Sequence, residues 1–305
     1  MAPGGSEMKF NLTHARHDPI HCLAPGLFRS LRRGERRRQK LNVEFNYGEM
    51  QIEFSGPEPL GADDLRVLQG LVALAAIAGE SGGEITISSD TKSKKGKELR
   101  EGMALTGTAA AKDLVLAEST FRQFAAEIGY ASDSGGVLRL IRSCIERLWK
   151  VSIIVKQDGR REGFRILSGY ASGAGGLCVS LNPRIAAAIV GGRHARIDMA
   201  EVRALKSDQA RLLHQRLCGF VDPGKGHKVV AATLCGYVWH GACGGEGSRR
   251  RLQVLKKALL ELKQMGWEIE EYSRGRFDIR RPAIKQGRHA LTVPKACPNG
   301  PNFMP

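Results

Sequence analysis

The stretch of residues 233–282 reads TLCGYVWHGACGGEGSRRRLQVLKKALLELKQMGWEIEEYSRGRFDIRRP, and its pattern decides the predicted fold. Four leucines within it recur at spacings of three, four and three residues: Leu252, Leu255, Leu259 and Leu262. This spacing places them on one face of a helix, which we expect over about 248–265. The opposite face is polar and mostly cationic, with Arg250, Gln253 and Lys257. Ser248 and Gly266 have the residue types that favour the N-cap and the C-cap of such a helix.

The residues on either side of this long helix extend the pattern. After the helix, alternation through 267–270 and 277–280 predicts two strands joined by a basic turn at 273–276. A shorter helix is predicted over 233–239, followed by a glycine-rich turn at 241–247. Short helix, turn, long helix and hairpin are typical of the winged helix, whose second helix enters the major groove of DNA. For the long helix alone, the alternative is an amphipathic helix with a solvated charged face.

The same order of elements occurs once more, upstream. Ser119 or Thr120 is expected to cap a helix, and a turn follows at 130–136. A longer helix then carries apolar residues at the same three, four, three spacing: Leu138, Ile141, Ile145 and Leu148. Strand-like residues at 149–155 and 164–166 form a second basic-tipped hairpin. We therefore predict an α+β protein with two tandem winged-helix domains related by an internal repeat.

These elements divide the chain into four predicted segments. They are a basic N-terminal arm (1–40), a first winged-helix domain (41–192), a second winged-helix domain (193–282) and a disordered tail (283–305). Within the arm, residues 1–10 are expected to be loose, and the run RSLRRGERRRQK at 29–40 can neutralise phosphates without reading bases. The alternative for this run is a solvated linker or helix surface. Residues 79–116 are expected to form an exposed insertion.

The overall charge points to a polyanionic partner. The chain has 305 residues, 47 Lys and Arg against 31 Asp and Glu, a formal net charge of +16 and a pI of about 9.8. Nucleic acid is the commonest such partner, and an anionic membrane surface is the alternative. No apolar run approaches the ~20 residues that span a bilayer. The start of the chain lacks a secretory signal, so we expect a cytoplasmic protein with seven reduced cysteines.

The predicted contacts with double-stranded DNA fall on both repeated units and on the arm. The set is Arg249, Arg250, Arg251, Gln253 and Lys257 on the second long helix, Arg274 and Arg276 in its hairpin, Arg139 and Arg142 on the first long helix, Arg160 and Arg161 in its hairpin, and Arg36, Arg37 and Arg38 in the arm. Arginine and glutamine suit paired hydrogen bonds to guanine and adenine, whereas lysine and hairpin-tip arginines suit phosphates. The first long helix is less basic, so we expect it to make fewer base contacts or to take part in self-association.

Motifs for catalysis and metal binding are incomplete. Residues 219–225 match GxxxxGK, but Gly226 replaces the Ser or Thr that holds magnesium, and the motif follows a helix instead of a strand. His17, His21 and Cys22, and likewise Cys235, His240 and Cys243, lack a recurrent set of four zinc ligands. There is no His-x-His pair for a nicking enzyme and no GxSxG nucleophile motif. The sequence therefore predicts no enzyme, no metal and no cofactor.

Long stretches of the chain resemble the RepC family of iteron-binding replication initiators from IncQ-type broad-host-range plasmids. The resemblance is carried by HARHDPIHCLAPGLFRSLRRGERRRQKL (14–41), FSGPEPLGADDLRVLQGLVA (54–73), CIERLWKVSII (144–154), DMAEVRAL (198–205), RLLHQRLCGFVDPGK (211–225) and TLCGYVW (233–239). The chain departs from that pattern at 1–8, at 79–116, in the turn at 242–247 and beyond Pro282. The altered turn leaves open which bases are read.

The resemblance implies a protein that binds direct repeats (iterons) at a plasmid origin and promotes opening of the adjacent A·T-rich DNA. It also implies recruitment of the plasmid's own hexameric helicase, with a dedicated primase acting afterwards. Apart from the resemblance, the less basic first long helix leaves a homodimer open as a further partner. A winged-helix transcriptional repressor that binds its own operator is the alternative, since the same fold would serve. A nicking or nucleotide-hydrolysing replication protein is a third hypothesis.

Overall fold

The computed structural model describes residues 11–80, 86–87, 97, 114–173, 176–190, 192–241 and 245–284. Three predicted features lie outside these residues: the loose start at 1–10, most of the insertion at 79–116, and the tail beyond Ile284. The described residues form α-helices and small antiparallel sheets, in agreement with the predicted α+β class. No helix in these ranges is long and apolar enough to cross a membrane.

The elements are numbered here in chain order over the described residues. The strands are β1 (His14–His17), β2 (Leu41–Tyr47), β3 (Met50–Gly56), β4 (Thr86–Ile87), β5 (Leu114–Thr120), β6 (Ser152–Gln157), β7 (Arg160–Arg165), β8 (Leu167–Gly173), β9 (Gly176–Leu181), β10 (Ala195–Asp198), β11 (Gly226–Val230), β12 (Glu268–Ser273) and β13 (Arg276–Arg280). The helices are α1 (Pro19–Leu23), α2 (Ala62–Glu80), α3 (Phe121–Glu127), α4 (Gly135–Lys150), α5 (Pro183–Val190), α6 (Met199–Ala204), α7 (Asp208–Phe220), α8 (Ala231–Val238) and α9 (Gly245–Gln264).

The first repeated unit contains the predicted helix pair and hairpin. Thr120 is the cap of α3, because its hydroxyl accepts a hydrogen bond from the backbone N–H of Gln123 at 3.2 Å. Helix α4 packs on α2, with its apolar face buried at the predicted spacing except for Leu138, which is only partly buried. Strands β6 and β7 then join β2 and β3 in a sheet of order β2-β3-β6-β7. A second sheet, β4-β5-β9-β8, follows, and its strands β5 and β8 were not predicted. Val115 and Leu116 of β5 are buried, so this end of the segment 79–116 is not the exposed insertion that was expected.

The second repeated unit consists of α7, α8, α9 and a three-stranded sheet. The predicted hairpin is present as β12 and β13, and an unpredicted strand, β11, pairs with β13 to give the order β11-β13-β12. Gly266 ends α9 with a φ of 91°, a left-handed value that glycine adopts without strain. Helix α9 begins at Gly245, so the prediction that Ser248 is its N-cap is wrong. The first residues of the helix are 245–247, which the sequence had assigned to the glycine-rich turn.

The N-terminal segment, which the structure describes from residue 11 to residue 40, is bonded to the rest of the fold, in contrast to the separate arm predicted for 1–40. Strand β1 pairs antiparallel with β10, which lies at the predicted boundary between the two domains. Apolar side chains within α1 and on both sides of it, including Ile20, Leu12 and Leu27, are almost completely buried. The high density of cations at 29–40 suggested an arm, but the burial of these apolar residues fixes the segment before that run in place.

Candidate nucleic-acid interface

Helix α9 presents one cationic face to solvent. Its apolar face, formed by Leu255, Ala258, Leu259 and Leu262, is buried against α7 and α8, and Leu252 is partly buried. The opposite side carries the exposed predicted residues Arg249, Arg250, Gln253 and Lys257. Because the apolar face anchors the helix, its exposed donors are held in a fixed arrangement.

Arg251 has a different environment from its neighbours on α9. Its Nη1 atom donates to the backbone oxygen of Gly241 at 3.0 Å, and its guanidinium lies 5.6 Å from the centre of the Trp239 ring. The side chain is half-buried. Arg251, which the sequence assigned to DNA contacts, therefore also connects the start of α9 to the end of α8.

The C-terminal half of α9 is fixed to the loop before α7. The Glu261 carboxylate accepts hydrogen bonds from the backbone N–H groups of Lys206 at 2.8 Å and Ser207 at 3.1 Å. Burial by itself would raise the pKa of Glu261, but the hydrogen bonds from Ser207 and Lys206 hold it below its usual value. The ionised carboxylate is therefore the form that holds this end of the helix.

The hairpin of β12 and β13 is attached to α8 and α9. Glu271 accepts a hydrogen bond from Lys256 of α9 at 2.7 Å and another from the backbone N–H of Gly275 at 2.9 Å. These two bonds hold the pKa of Glu271 below its usual value. The backbone oxygen of Gly275 accepts from the N–H of Ala231, at the start of α8, at 2.8 Å. The exposed tip arginines, Arg274 and Arg276, are therefore held in the same unit as the cationic face of α9.

The first unit offers fewer cations in the same arrangement. Arg139 and Arg142 are exposed on α4, and the guanidinium of Arg142 lies 4.6 Å from the centre of the Phe121 ring. Arg160 and Arg161 are exposed just after the two-residue turn between β6 and β7, where Asp158 and Gly159 have φ values of 50° and 72°. The predicted residues of this unit are therefore exposed, although they are fewer than those of the second unit.

Arg36 has a structural role, in contrast to the phosphate contact predicted for it. Its Nη1 atom lies 2.8 Å from the carboxylate of Asp64 and 3.0 Å from the backbone oxygen of Pro59. Asp64 is fully buried, and its other oxygen accepts from Arg147 Nε at 2.8 Å. The physical reason is that a buried carboxylate needs cationic or N–H partners, and Arg36 supplies one. Arg37 and Arg38 remain exposed.

Tertiary contacts bring the basic segment of the N-terminal region beside the start of α9. The backbone N–H of Ser30 donates to the oxygen of Val238 at 2.8 Å. Gly26, with a φ of 77°, lies so close to His240 that a Cβ atom there would meet the ring at 3.0 Å. Arg38 consequently faces Arg250 and Arg251 across a cleft of about 900 Å³. Sequence reasoning missed Arg32, Arg33 and Trp239, which also line this cleft, although the density of cations at 29–40 pointed to the segment.

The described residues contain one cluster of side chains with the chemistry of metal ligands: Glu201, His214 and Cys218, whose ligand atoms lie within 4.8 Å of one another. His214 Nε2 lies 2.5 Å from Glu201 Oε2, which also accepts from Trp267 Nε1 at 3.3 Å. Burial alone would lower the pKa of His214, but contacts with Cys218 and Glu201 raise it to about 10. A protonated histidine bonded to a carboxylate accounts for this cluster as an ion pair between α6 and α7.

The GxxxxGK segment does not form a phosphate cradle. Gly219 lies within α7, and Gly224 and Lys225, at the other end of the motif, donate their backbone N–H groups to backbone oxygens of the protein. Gly224 donates to the oxygen of Arg281 at 3.1 Å, and Lys225 donates to the oxygen of Asp222 at 3.0 Å. A phosphate loop needs free N–H groups at these positions.

Comparisons with known proteins assign the chain to one family. Residues 9–283 match the family model described as Replication protein C (RepC). A search of curated proteins gives no match. Two crystal structures of domains 2 and 3 of RctB are similar to the chain, each with 12% sequence identity. The first has a TM-score of 0.49 and covers 88% of this chain and 99% of its own, and the second has a TM-score of 0.48 and covers 86% and 95%.

Proposed function

Because the chain belongs to the replication protein C (RepC) family of plasmid replication initiators, we propose that it binds direct repeats in the double-stranded DNA of a plasmid origin. The observation that carries this proposal is the exposed cationic face of α9, which lies in one unit with the basic tip of the β12–β13 hairpin. A helix that fits the major groove and a basic loop that meets the backbone beside it are what such recognition needs.

Both repeated units act as winged-helix modules in this proposal. The second module is formed by α7, β11, α8, α9, β12 and β13, with α9 as its recognition helix. The first is formed by α2, α3, α4 and the β6–β7 hairpin, with α4 in the corresponding position. Their common order of helix, helix and hairpin supports this assignment.

The exposed residues of α9 divide into two roles. Arg249, Arg250 and Gln253 read base edges, since guanidinium and amide groups pair with guanine and adenine through two hydrogen bonds. Lys257 and the hairpin residues Arg274 and Arg276 bind phosphates, and they set the register of the protein on the duplex. Arg251 serves mainly to fix the start of α9, because its guanidinium already bonds to Gly241.

The first module contributes fewer contacts. Arg139 and Arg142 on α4, and Arg160 and Arg161 in the hairpin, bind the DNA backbone, and Arg37 and Arg38 extend this contact from the N-terminal segment. The surface that α4 leaves free of DNA is available for self-association as a homodimer.

Binding to the repeats then promotes opening of neighbouring A·T-rich DNA, and the opened DNA receives the hexameric helicase and primase of the same plasmid.

A gel-shift titration with Arg250→Ala tests the assignment of the recognition helix. We expect the variant to lose about 1–3 kcal/mol of specific binding to the repeats and to relax one base position. Lys263→Ala is the matched control, because it removes one exposed positive charge from the same helix outside the predicted contact set. Unchanged binding by Arg250→Ala, or equal losses in both variants, would show that α9 does not read the repeat in this way.

Footprinting on the origin next to the gene tests the function itself. Protection of a set of direct repeats beside an A·T-rich segment is the expected result. Protection of a single palindrome would instead indicate a repressor bound to its operator, and cleavage of supercoiled origin DNA or release of phosphate from ATP would indicate an enzyme.

A further inference from the structure

The cleft between the N-terminal basic segment and α9 contains three side chains, Arg32, Arg33 and Trp239, to which the proposed duplex recognition assigns no role. One wall carries Arg32, Arg33 and Arg38, and the facing wall carries Trp239, Arg250 and Arg251. Only one carboxylate, Glu35, is among the described residues that line it. That carboxylate is already occupied, because it accepts from the backbone N–H of Arg32 at 2.9 Å and lies 3.4 Å from Arg29. The cleft is therefore strongly cationic.

Internal bonds hold the first wall in place without any ligand. The buried Arg29 side chain bonds to Gln39 and pairs with Glu35, so the two ends of the basic run are tied together. Ser30 is bonded to the end of α8 through its backbone N–H, and its hydroxyl accepts from the side chain of Gln209 at 3.0 Å. The cleft is a preformed feature, and binding in it does not require ordering of the segment.

Trp239 gives this cationic cleft an aromatic surface. Its backbone N–H is bonded to the oxygen of Cys235 at 2.9 Å, and its half-buried ring packs against the core. The ring is also braced by the guanidinium of Arg251 at 5.6 Å. A fixed aromatic ring in a positively charged groove is the combination that binds unpaired bases, by stacking on the base and by attraction of the phosphates.

The size of the cleft suits a short piece of a single strand. Its volume of about 900 Å³ is within the range of pockets that enclose one small molecule. It therefore has room for a few nucleotides of one strand. The outer side of α9, where Gln253 and Lys257 are exposed, remains available for the duplex at the same time.

We propose that this cleft binds single-stranded DNA, with a base stacked on Trp239 and the phosphates bound by Arg32 and Arg33. The inference rests on the proposed function, since opening of A·T-rich DNA next to the bound repeats produces unpaired strands beside this surface. The cleft holds one of these strands apart from its complement and thereby stabilises the opened origin.

Fluorescence anisotropy with the full chain tests this inference. The probes are a labelled single strand of about 15 thymidines and, separately, a labelled duplex that contains the direct repeats. We expect Trp239→Ala to weaken binding to the single strand roughly tenfold or more, because one stacking contact is lost, and to leave binding to the duplex within about twofold. Trp239→Phe keeps an aromatic ring and is expected to retain most of the affinity for the single strand.

Charge variants provide a second measurement that does not depend on Trp239. Arg33→Ala is expected to weaken single-strand binding severalfold, whereas Arg122→Ala removes another exposed arginine, outside the cleft, and is expected to change single-strand binding little. If Trp239→Ala does not fold, as judged by circular dichroism, this pair of variants decides the question.

The outcomes separate the two proposals. A wild-type protein that binds the duplex repeats but not the single strand overturns the cleft inference and leaves the proposed function intact. The inference is also overturned if folded Trp239→Ala binds the single strand with normal affinity, or if the substitution lowers the affinity for both probes equally. Binding of ATP in the cleft without binding of the single strand overturns it as well. Failure of the wild type to bind the duplex repeats contradicts the proposed function instead.

Discussion

At the scale of the residue, three buried histidines show how the surroundings determine the charge of one side chain. The ring nitrogens of His17 and His21 are buried without hydrogen bonds, and burial lowers the pKa of both. His214 is equally buried, but its contacts with Cys218 and Glu201 raise its pKa to about 10. The first pair is therefore neutral in the folded protein, and the third is a cation in an ion pair.

Protonation of His17 is expected to make folding depend on pH. Burial, and then the neighbouring His21, lowers the pKa of His17 from 6.5 to about 3. Between these two values the unfolded chain binds a proton at this position and the folded chain does not. The free energy of unfolding should therefore fall as the pH drops below about 6.5, by as much as ~1.4 kcal/mol per pH unit from this residue. Urea unfolding of the wild type and of His17→Leu, at several pH values, measures the effect.

The His17→Leu variant should lack the part of the pH dependence of its free energy of unfolding that comes from His17, whatever its absolute stability. An identical pH dependence of the wild type and His17→Leu would contradict the assignment of a buried neutral His17.

At the scale of the element, the turn of the β12–β13 hairpin shows how a glycine sets the position of a basic tip. Gly275 has a φ of 70°, and both its N–H and its oxygen are bonded, to Glu271 and to Ala231. Gly236, within α8, has no such requirement, because no atom lies within 4 Å of the place where its Cβ would be. The same residue type is therefore required in the hairpin and is unfavourable in the helix.

Two alanine substitutions at these glycines are expected to have opposite effects. Gly275→Ala should destabilise the protein by about 1 kcal/mol, since the left-handed conformation is strained for alanine while the nearest atom, at 3.7 Å, leaves enough space. Gly236→Ala should stabilise it by about 0.5–1 kcal/mol, because alanine favours the helix. Urea unfolding of the two variants checks this, and a loss of stability in both would show that the turn conformation is not the cause.

At the scale of the whole molecule, long-range contacts join segments that the sequence presented as separate. Strand β1 pairs with β10, and Gln69 of α2 donates to Gln215 of α7 at 2.5 Å in the buried interior. Asp64 joins three segments, because it binds Arg36 of the N-terminal segment and Arg147 of α4 from its position on α2. The two repeated units and the N-terminal segment therefore share one core.

Loss of the Asp64 charge is expected to weaken this whole arrangement. Asp64→Asn leaves Arg36 and Arg147 facing a neutral amide, and we expect a loss of about 2–4 kcal/mol in the free energy of unfolding. Asp133→Asn is the matched control, because its partner Arg122 lies 3.3 Å away in an exposed pair whose contribution should be below ~1 kcal/mol. Similar losses in both variants, measured by urea unfolding, would refute the structural role of Asp64.

Much of the candidate site follows from local patterns in the sequence. The spacing of Leu255, Leu259 and Leu262 determines which side of α9 is buried, so it also determines that Arg250 and Lys257 are exposed. The cleft could not be predicted in this way. Trp239 and Arg33 are far apart in the chain, and tertiary contacts such as the bond between Ser30 and Val238 bring their segments together. The internal role of Arg36 was hidden for the same reason.

The sequence by itself determined the two helix-and-hairpin units, their basic surfaces and the resemblance to replication initiators. It could do so because the periodicity of helices and strands, the caps and the turn glycines act between residues close in the chain. The tertiary structure alone decided that β1 pairs with β10, that β11 completes the second sheet, and that a cationic cleft with an aromatic wall lies beside α9. These features depend on which distant surfaces bury each other, and that choice is made by the packing of the whole chain.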